Sequence, residues 1–114
     1  MASPTDASVA QQQAVDTYFD GDRPLYEAFR ASCLRQFHED ARQCDAACAS
    51  GDLLSLRRVV HSLKTVLLTL GHPVLAAHAA AVEHRAAAGA SDACQEWVGL
   101  RTALLSLAAS PAPP

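Results

Sequence analysis

The chain has 114 residues, enough for one domain with its own core and too few for two. Half of the residues are hydrophobic but only 5% are aromatic, a balance that suits packed helices better than sheets. A net charge of −3, from 9 Lys+Arg against 12 Asp+Glu, argues against a nucleic-acid-binding domain.

No apolar stretch approaches the ~20 residues of a membrane span. Val66 to Leu70, for example, is interrupted by Thr69. The first six residues carry neither a basic nor an apolar leader region, so a cytoplasmic chain with no membrane association is expected. Residues 1–7 read as a disordered N-terminal tail. Residues 8–109 read as one helical unit, and the Pro-rich residues 110–114 as a second disordered tail.

Five helices are predicted in chain order. The first is short, from Ser8, a possible N-cap, to Phe19, and it ends at Asp20-Gly21. The second runs from Pro24 to Ala49. Its stripe of Tyr26, Phe29, Cys33, Phe37, Ala41, Cys44 and Cys48 advances by 3 or 4 residues at each step. Gly51 suits the end of that helix, and Asp52 the N-cap of the next.

The third helix, Leu53 to Leu70, is the most regular. Leu53, Leu56, Val60, Leu63, Leu67 and Leu70 form a heptad seam. Gly71 closes it and Pro73 opens the fourth helix, which runs to Ala88 and buries Leu75, Ala79, Val82 and Ala86. Gly89 ends the fourth. Ser91 or Asp92 caps the fifth, which runs to Ala109 with Trp97, Leu100, Leu104 and Leu107 as its core residues. Four long amphipathic helices with short connections predict an all-α fold. It is an up-down-up-down antiparallel four-helix bundle, with the short first helix capping one end.

The four cysteines fall at core-type positions and read as small buried hydrophobes. Cys44 and Cys48 share a helix face, but a metal site needs two more ligands, and His38 lies about 240° around the helix from Cys44. His72, His78 and His84 recur every six residues and so share no face. No metal site is expected. No Gly-rich phosphate loop and no nucleophile–base pattern of a hydrolase is present.

At 100° per residue the seam of the third helix leaves His61 facing solvent, nearly opposite the core. Arg57, Thr65, Leu68 and His72 continue its stripe, and Lys64 lies one turn on at the flank. Two cations within a turn favour a neutral, nucleophilic imidazole. Lys64 can then pair with an anion carried on the ring. Leu68 gives the stripe an apolar contact for a docking partner.

His61-Ser62-Leu63-Lys64, Gly71 ten residues after the His, and Glu83 in Ala81-Val82-Glu83 resemble a histidine-containing phosphotransfer (HPt) domain of two-component phosphorelays. Gly51-Asp52 and Gly89 fit as well, and the resemblance covers about Arg23 to Leu107. It implies a phosphocarrier. His61 would accept a phosphoryl group on Nε2 from a receiver-domain Asp and pass it to another receiver. Lys64 would neutralise phosphoryl oxygens and Glu83 would orient the cluster. Arg57, Thr65, Leu68 and His72 would meet the partner.

The implied partners are receiver domains of response regulators or of a hybrid histidine kinase. The chain would act as a monomer with no cofactor of its own, the Mg²⁺ for transfer coming from the receiver. It would have no autonomous kinase activity. One position departs from the family pattern: the motif Lys is followed by Gly there and by Thr65 here. A β-branched side chain one turn from His61 narrows the approach of a receiver loop. The alternative reading is therefore a degenerate HPt fold that binds a receiver or kinase without carrying phosphate.

Overall fold

Every described element is helical. The computed structural model describes residues 4–109, with side chains from Val9 onward. The helices are α1 (Pro4–Tyr18), α2 (Arg23–Ser50), α3 (Leu53–Thr69), α4 (Pro73–Ala87) and α5 (Ala93–Ala109). Boundaries of α2 to α5 fall within one residue of expectation. α1 begins at Pro4, so Ser8 lies within it rather than capping it. Residues 1–3 and 110–114, both assigned above to tails, lie outside the described residues.

Side chains define where the long helices begin. The Asp22 carboxylate accepts the Leu25 N–H (3.0 Å) at the start of α2, which has Pro24 in its first turn. Asp52 caps α3 by accepting from the Ser55 N–H (3.1 Å) and Oγ (2.6 Å). Asp92 does not cap α5 through its side chain; its carboxylate takes Arg85 of α4 instead (2.7 Å).

α2 packs on α3 and α5, α4 packs on the same two helices, and α1 rests against α3. The most extensive contact is α3 on α4. The core that results is continuous. It holds Tyr26 and Phe37 of α2, Leu56, Val60, Leu63 and Leu67 of α3, Val82 of α4, and Trp97, Leu100 and Leu104 of α5. No helix among the described residues is long and apolar enough to cross a membrane.

Three expectations need correction. The first concerns the stripe of α2, which buries Arg30 and Leu34 where Phe29 and Cys33 were expected. Phe29 stays 38% exposed and leans on Phe19 at the end of α1 (centroids 5.5 Å). An Arg stem can fill a core-facing position while its head stays among polar groups. Arg30 sits beside the Tyr26 hydroxyl, which donates to the Leu70 carbonyl (2.7 Å).

The second concerns His72, which leaves the exposed stripe of His61. α3 ends at Thr69, and Gly71 at φ +84° turns the chain, so the 100° phase of the helix does not carry past Leu70. His72 becomes the N-cap residue of α4. It is half-buried, and its Nε2 is enclosed with no hydrogen-bond partner among the described residues.

The third concerns the cysteines. Cys44 is a buried thiol as expected and Cys33 is partly buried, but Cys48 and Cys94 are joined as a disulfide (Cα–Cα 5.7 Å). It ties the last turn of α2 to the first turn of α5 across 46 residues of sequence, a span for which loop closure contributes on the order of 4 kcal/mol. One turn further along the same seam, Asp45 accepts from Trp97 Nε1 (2.9 Å) and pairs with Arg101 (2.9 Å). Periodicity along one helix carries no information about a pairing between helices so distant in sequence.

The turn at Gly71 yields a comparison. A Cβ there would lie 2.8 Å from the Ala10 carbonyl oxygen and from Gln11 Cα, both backbone atoms of α1. Gly51 has a similar φ of +72° but open space around it. Gly71→Ala should therefore cost about 2–4 kcal/mol, backbone strain plus a clash that α1 must move to relieve. Gly51→Ala should cost only about 1 kcal/mol. Equal shifts in urea midpoint for the two variants would refute this account of the α1 contact.

His72 yields a pH dependence. Burial first, and the charge of Arg30 second, hold its imidazole below the usual histidine pKa. The unfolded chain takes up a proton near pH ~6.5, whereas the folded chain resists it. The stability tied to neutral His72 is thus present above that pH and is lost as pH falls toward the lower, folded value. His72→Asn keeps a cap-forming residue and removes the titration. The variant should lose less stability than wild type between about pH 7.5 and about pH 5.5. Equal losses in denaturant titrations at the two pH values would contradict it.

Candidate functional site

The middle of α3 and the second half of α4 meet at three polar side chains. His61 projects from α3 with its side chain 62% exposed. Lys64, one turn on, lies at the flank (30%), and Glu83 of α4 is largely covered (16%). The seam residues Val60, Leu63 and Leu67 turn inward and set this orientation, as Ala79, Val82 and Ala86 do for α4.

Glu83 uses both carboxylate oxygens. Oε2 takes His61 Nδ1 in a very short hydrogen bond, and Oε1 takes Lys64 Nζ at 2.6 Å. The Lys64 hydrogen bond holds the Glu83 carboxyl below the usual range; burial opposes it, and the His61 hydrogen bond adds to the lowering. An ionised carboxylate can only accept, so Nδ1 carries the ring proton. Nε2, on the far edge of the imidazole, then holds the lone pair and has no partner among the described residues. The arrangement offers an oriented, exposed nitrogen nucleophile with an ionised carboxylate behind it.

The surroundings were foreseen in part. Arg57, Thr65 and Leu68 are exposed along α3 on either side of His61. Leu68 borders a groove against α1, lined by Gln13, Thr17 and Tyr18. His72 is not on this surface. Two residues missed by forward reading of the stripe are Leu54 and Arg58, which line a shallow depression with Arg57, His61, Ser62 and Glu83. Their positions at i−7 and i−3 from His61 were the available signal. Lys64 is engaged by Glu83 rather than standing free beside the imidazole. Among the described residues no three His, Cys, Asp or Glu side chains cluster as metal ligands would.

A family profile described as Hpt domain matches residues 28–110. No match was found among curated proteins or among solved structures. The profile spans α2 to α5 and includes His61, Lys64 and Glu83, so the helices that build the cluster are the ones that define the family. The chain belongs to the Hpt domain family, and with it to the phosphotransfer chemistry of two-component signalling.

Proposed function

We propose that this chain is a phosphocarrier of a multistep phosphorelay. It accepts a phosphoryl group on His61 from the Asp of a receiver domain and passes it to a second receiver. The observation that carries this reading is the bond from His61 Nδ1 to Glu83, which leaves Nε2 exposed with its lone pair. In the forward step Nε2 attacks phosphorus, an N–P bond forms, and the receiver's aspartyl oxygen departs as carboxylate. The ring becomes cationic, and Glu83, already on Nδ1–H, stabilises that charge as it develops. Lys64 turns from Glu83 to the phosphoryl oxygens. Such transfer needs positioning and charge stabilisation above all. The Mg²⁺ would be the receiver's, and this chain would need no cofactor and have no kinase activity of its own.

The fold serves that task as an up-down-up-down antiparallel bundle of α2 to α5 with α1 across one end. The packing of each helix on its sequence neighbours, closed between α2 and α5, supports this arrangement. The docking surface would comprise Arg57, Thr65 and Leu68 with the adjoining Leu54 and Arg58. A monomer in the cytoplasm fits a surface that must stay open to receivers. Thr65, in place of the family's Gly, supports a second reading in which the chain binds a receiver without taking its phosphate.

Incubation with a panel of phosphorylated receiver domains tests both readings. Wild type should acquire acid-labile, base-stable label, and His61→Gln should acquire none. Lys64→Ala and Glu83→Gln should slow transfer on the order of 10- to 100-fold with His61 still labelled. Label on His61→Gln would exclude His61 as acceptor. Binding without label from every receiver would favour the second reading, and Thr65→Gly would then be expected to restore transfer.

A further inference from the structure

We propose that Cys48 and Cys94 form a redox-responsive clamp on the half of the domain that carries His61 and Glu83. The two cysteines lie 46 positions apart, and the segment between them contains all of α3 and all of α4. Both helices of the site thus lie inside one covalent loop, whose ends are held together by a single bond.

The four cysteines divide cleanly. Cys48 and Cys94 are partly exposed, within reach of a reductant in solution. Cys44 lies one turn before Cys48 but is fully buried. Burial first, and the nearby Asp40 and Asp45 after it, push its thiol up to about 12. Burial and Asp40 raise Cys33 as well. The thiolate is the attacking form, so burial of Cys44 and the raised thiols of both residues disfavour attack on the pair. The couple is confined to two states.

Both states keep the fold. The seam has other ties besides the disulfide: Asp45 binds Trp97 and Arg101 across it. The local effect falls on the turn between α4 and α5. Asp92, two residues before Cys94, holds Arg85 (2.7 Å), two residues after Glu83. Release of Cys94 frees the start of α5, and through the Asp92–Arg85 pair it loosens the last turn of α4.

Opening requires a dithiol reductant. Its thiolate attacks one sulfur of the pair, the Cys48–Cys94 bond breaks, and a mixed disulfide forms. The second thiol of the reductant then displaces the bound cysteine. Two electrons and two protons end on Cys48 and Cys94, and the reductant leaves as a disulfide.

Alkylation under denaturing conditions, melting curves and hydrogen exchange, with and without dithiothreitol, test the clamp. Protein kept from reductant should take up two alkyl groups, on Cys33 and Cys44, and reduced protein should take up four. Reduction should lower the melting temperature by about 15–20 °C. It should speed amide exchange in residues 83–97 roughly tenfold or more, and more than in residues 67–76. The double variant Cys48→Ser/Cys94→Ser should match reduced wild type whether or not reductant is added, and Cys44→Ser should respond as wild type does. Four alkyl groups without reductant, or unchanged exchange in residues 83–97 on reduction, would overturn the proposal. None of these readouts involves phosphoryl transfer, so the clamp stands or falls apart from the phosphocarrier reading.

Discussion

The close packing of α3 against α4 is the constraint on which the site depends. A Glu side chain is short, and one carboxylate can serve two groups on a facing helix only when the helices lie close together. α4 meets that condition with small side chains: Ala76, Ala79 and Ala86 are buried toward its neighbours, and Val82 is the largest residue among them. The small side chains of α4 are thus what lets Glu83 reach both His61 and Lys64. A bulkier core face on α4 would push the helices apart and weaken both contacts of Glu83, because hydrogen bonds weaken steeply with distance and angle.

Electrostatics divide the work among the three side chains. Glu83 is mostly covered and keeps its charge because Lys64 donates to it. That pairing fixes the carboxylate so that its other oxygen faces Nδ1. The same carboxylate also counters the Lys64 charge while the ring is unmodified. An arriving phosphoryl group would compete for the ammonium with more oxygens and more charge. The cation and the imidazole are thus held on the two oxygens of one carboxylate, not on each other.

Much of this could be read along the chain, because the deciding signals are local. Heptad steps placed α3 and its inward face, and the same phase argument put His61 outside. Gly51, Asp52, Gly71 and Pro73 marked helix ends that the structure keeps. The errors share a different origin. His72 lies beyond a turn at positive φ, where the helical phase of α3 is lost. Arg30 does not register in a hydrophobic pattern, although it lies one turn from Tyr26 on the buried face. The disulfide and the Asp45–Trp97 bond join residues 46 and 52 positions apart, beyond the reach of any pattern read on one helix.

The two sides of the domain are held by different means, and the difference suits the site. Between α2 and α5 the ties are specific and strong: a disulfide, an indole hydrogen bond and an Arg–Asp pair within about two turns. Between α3 and α4 the ties are apolar packing and the Glu83 bridge itself. A site on helices is most precise when the supporting elements are rigid and the reacting groups are not cross-linked to one another. In the proposed transfer Lys64 would change partners as charge arrives, so a permanent tie at that seam would oppose it. Placing the covalent tie on the α2–α5 seam, where no residue of the cluster lies, gives α3 and α4 a fixed frame and leaves their own interface free to respond.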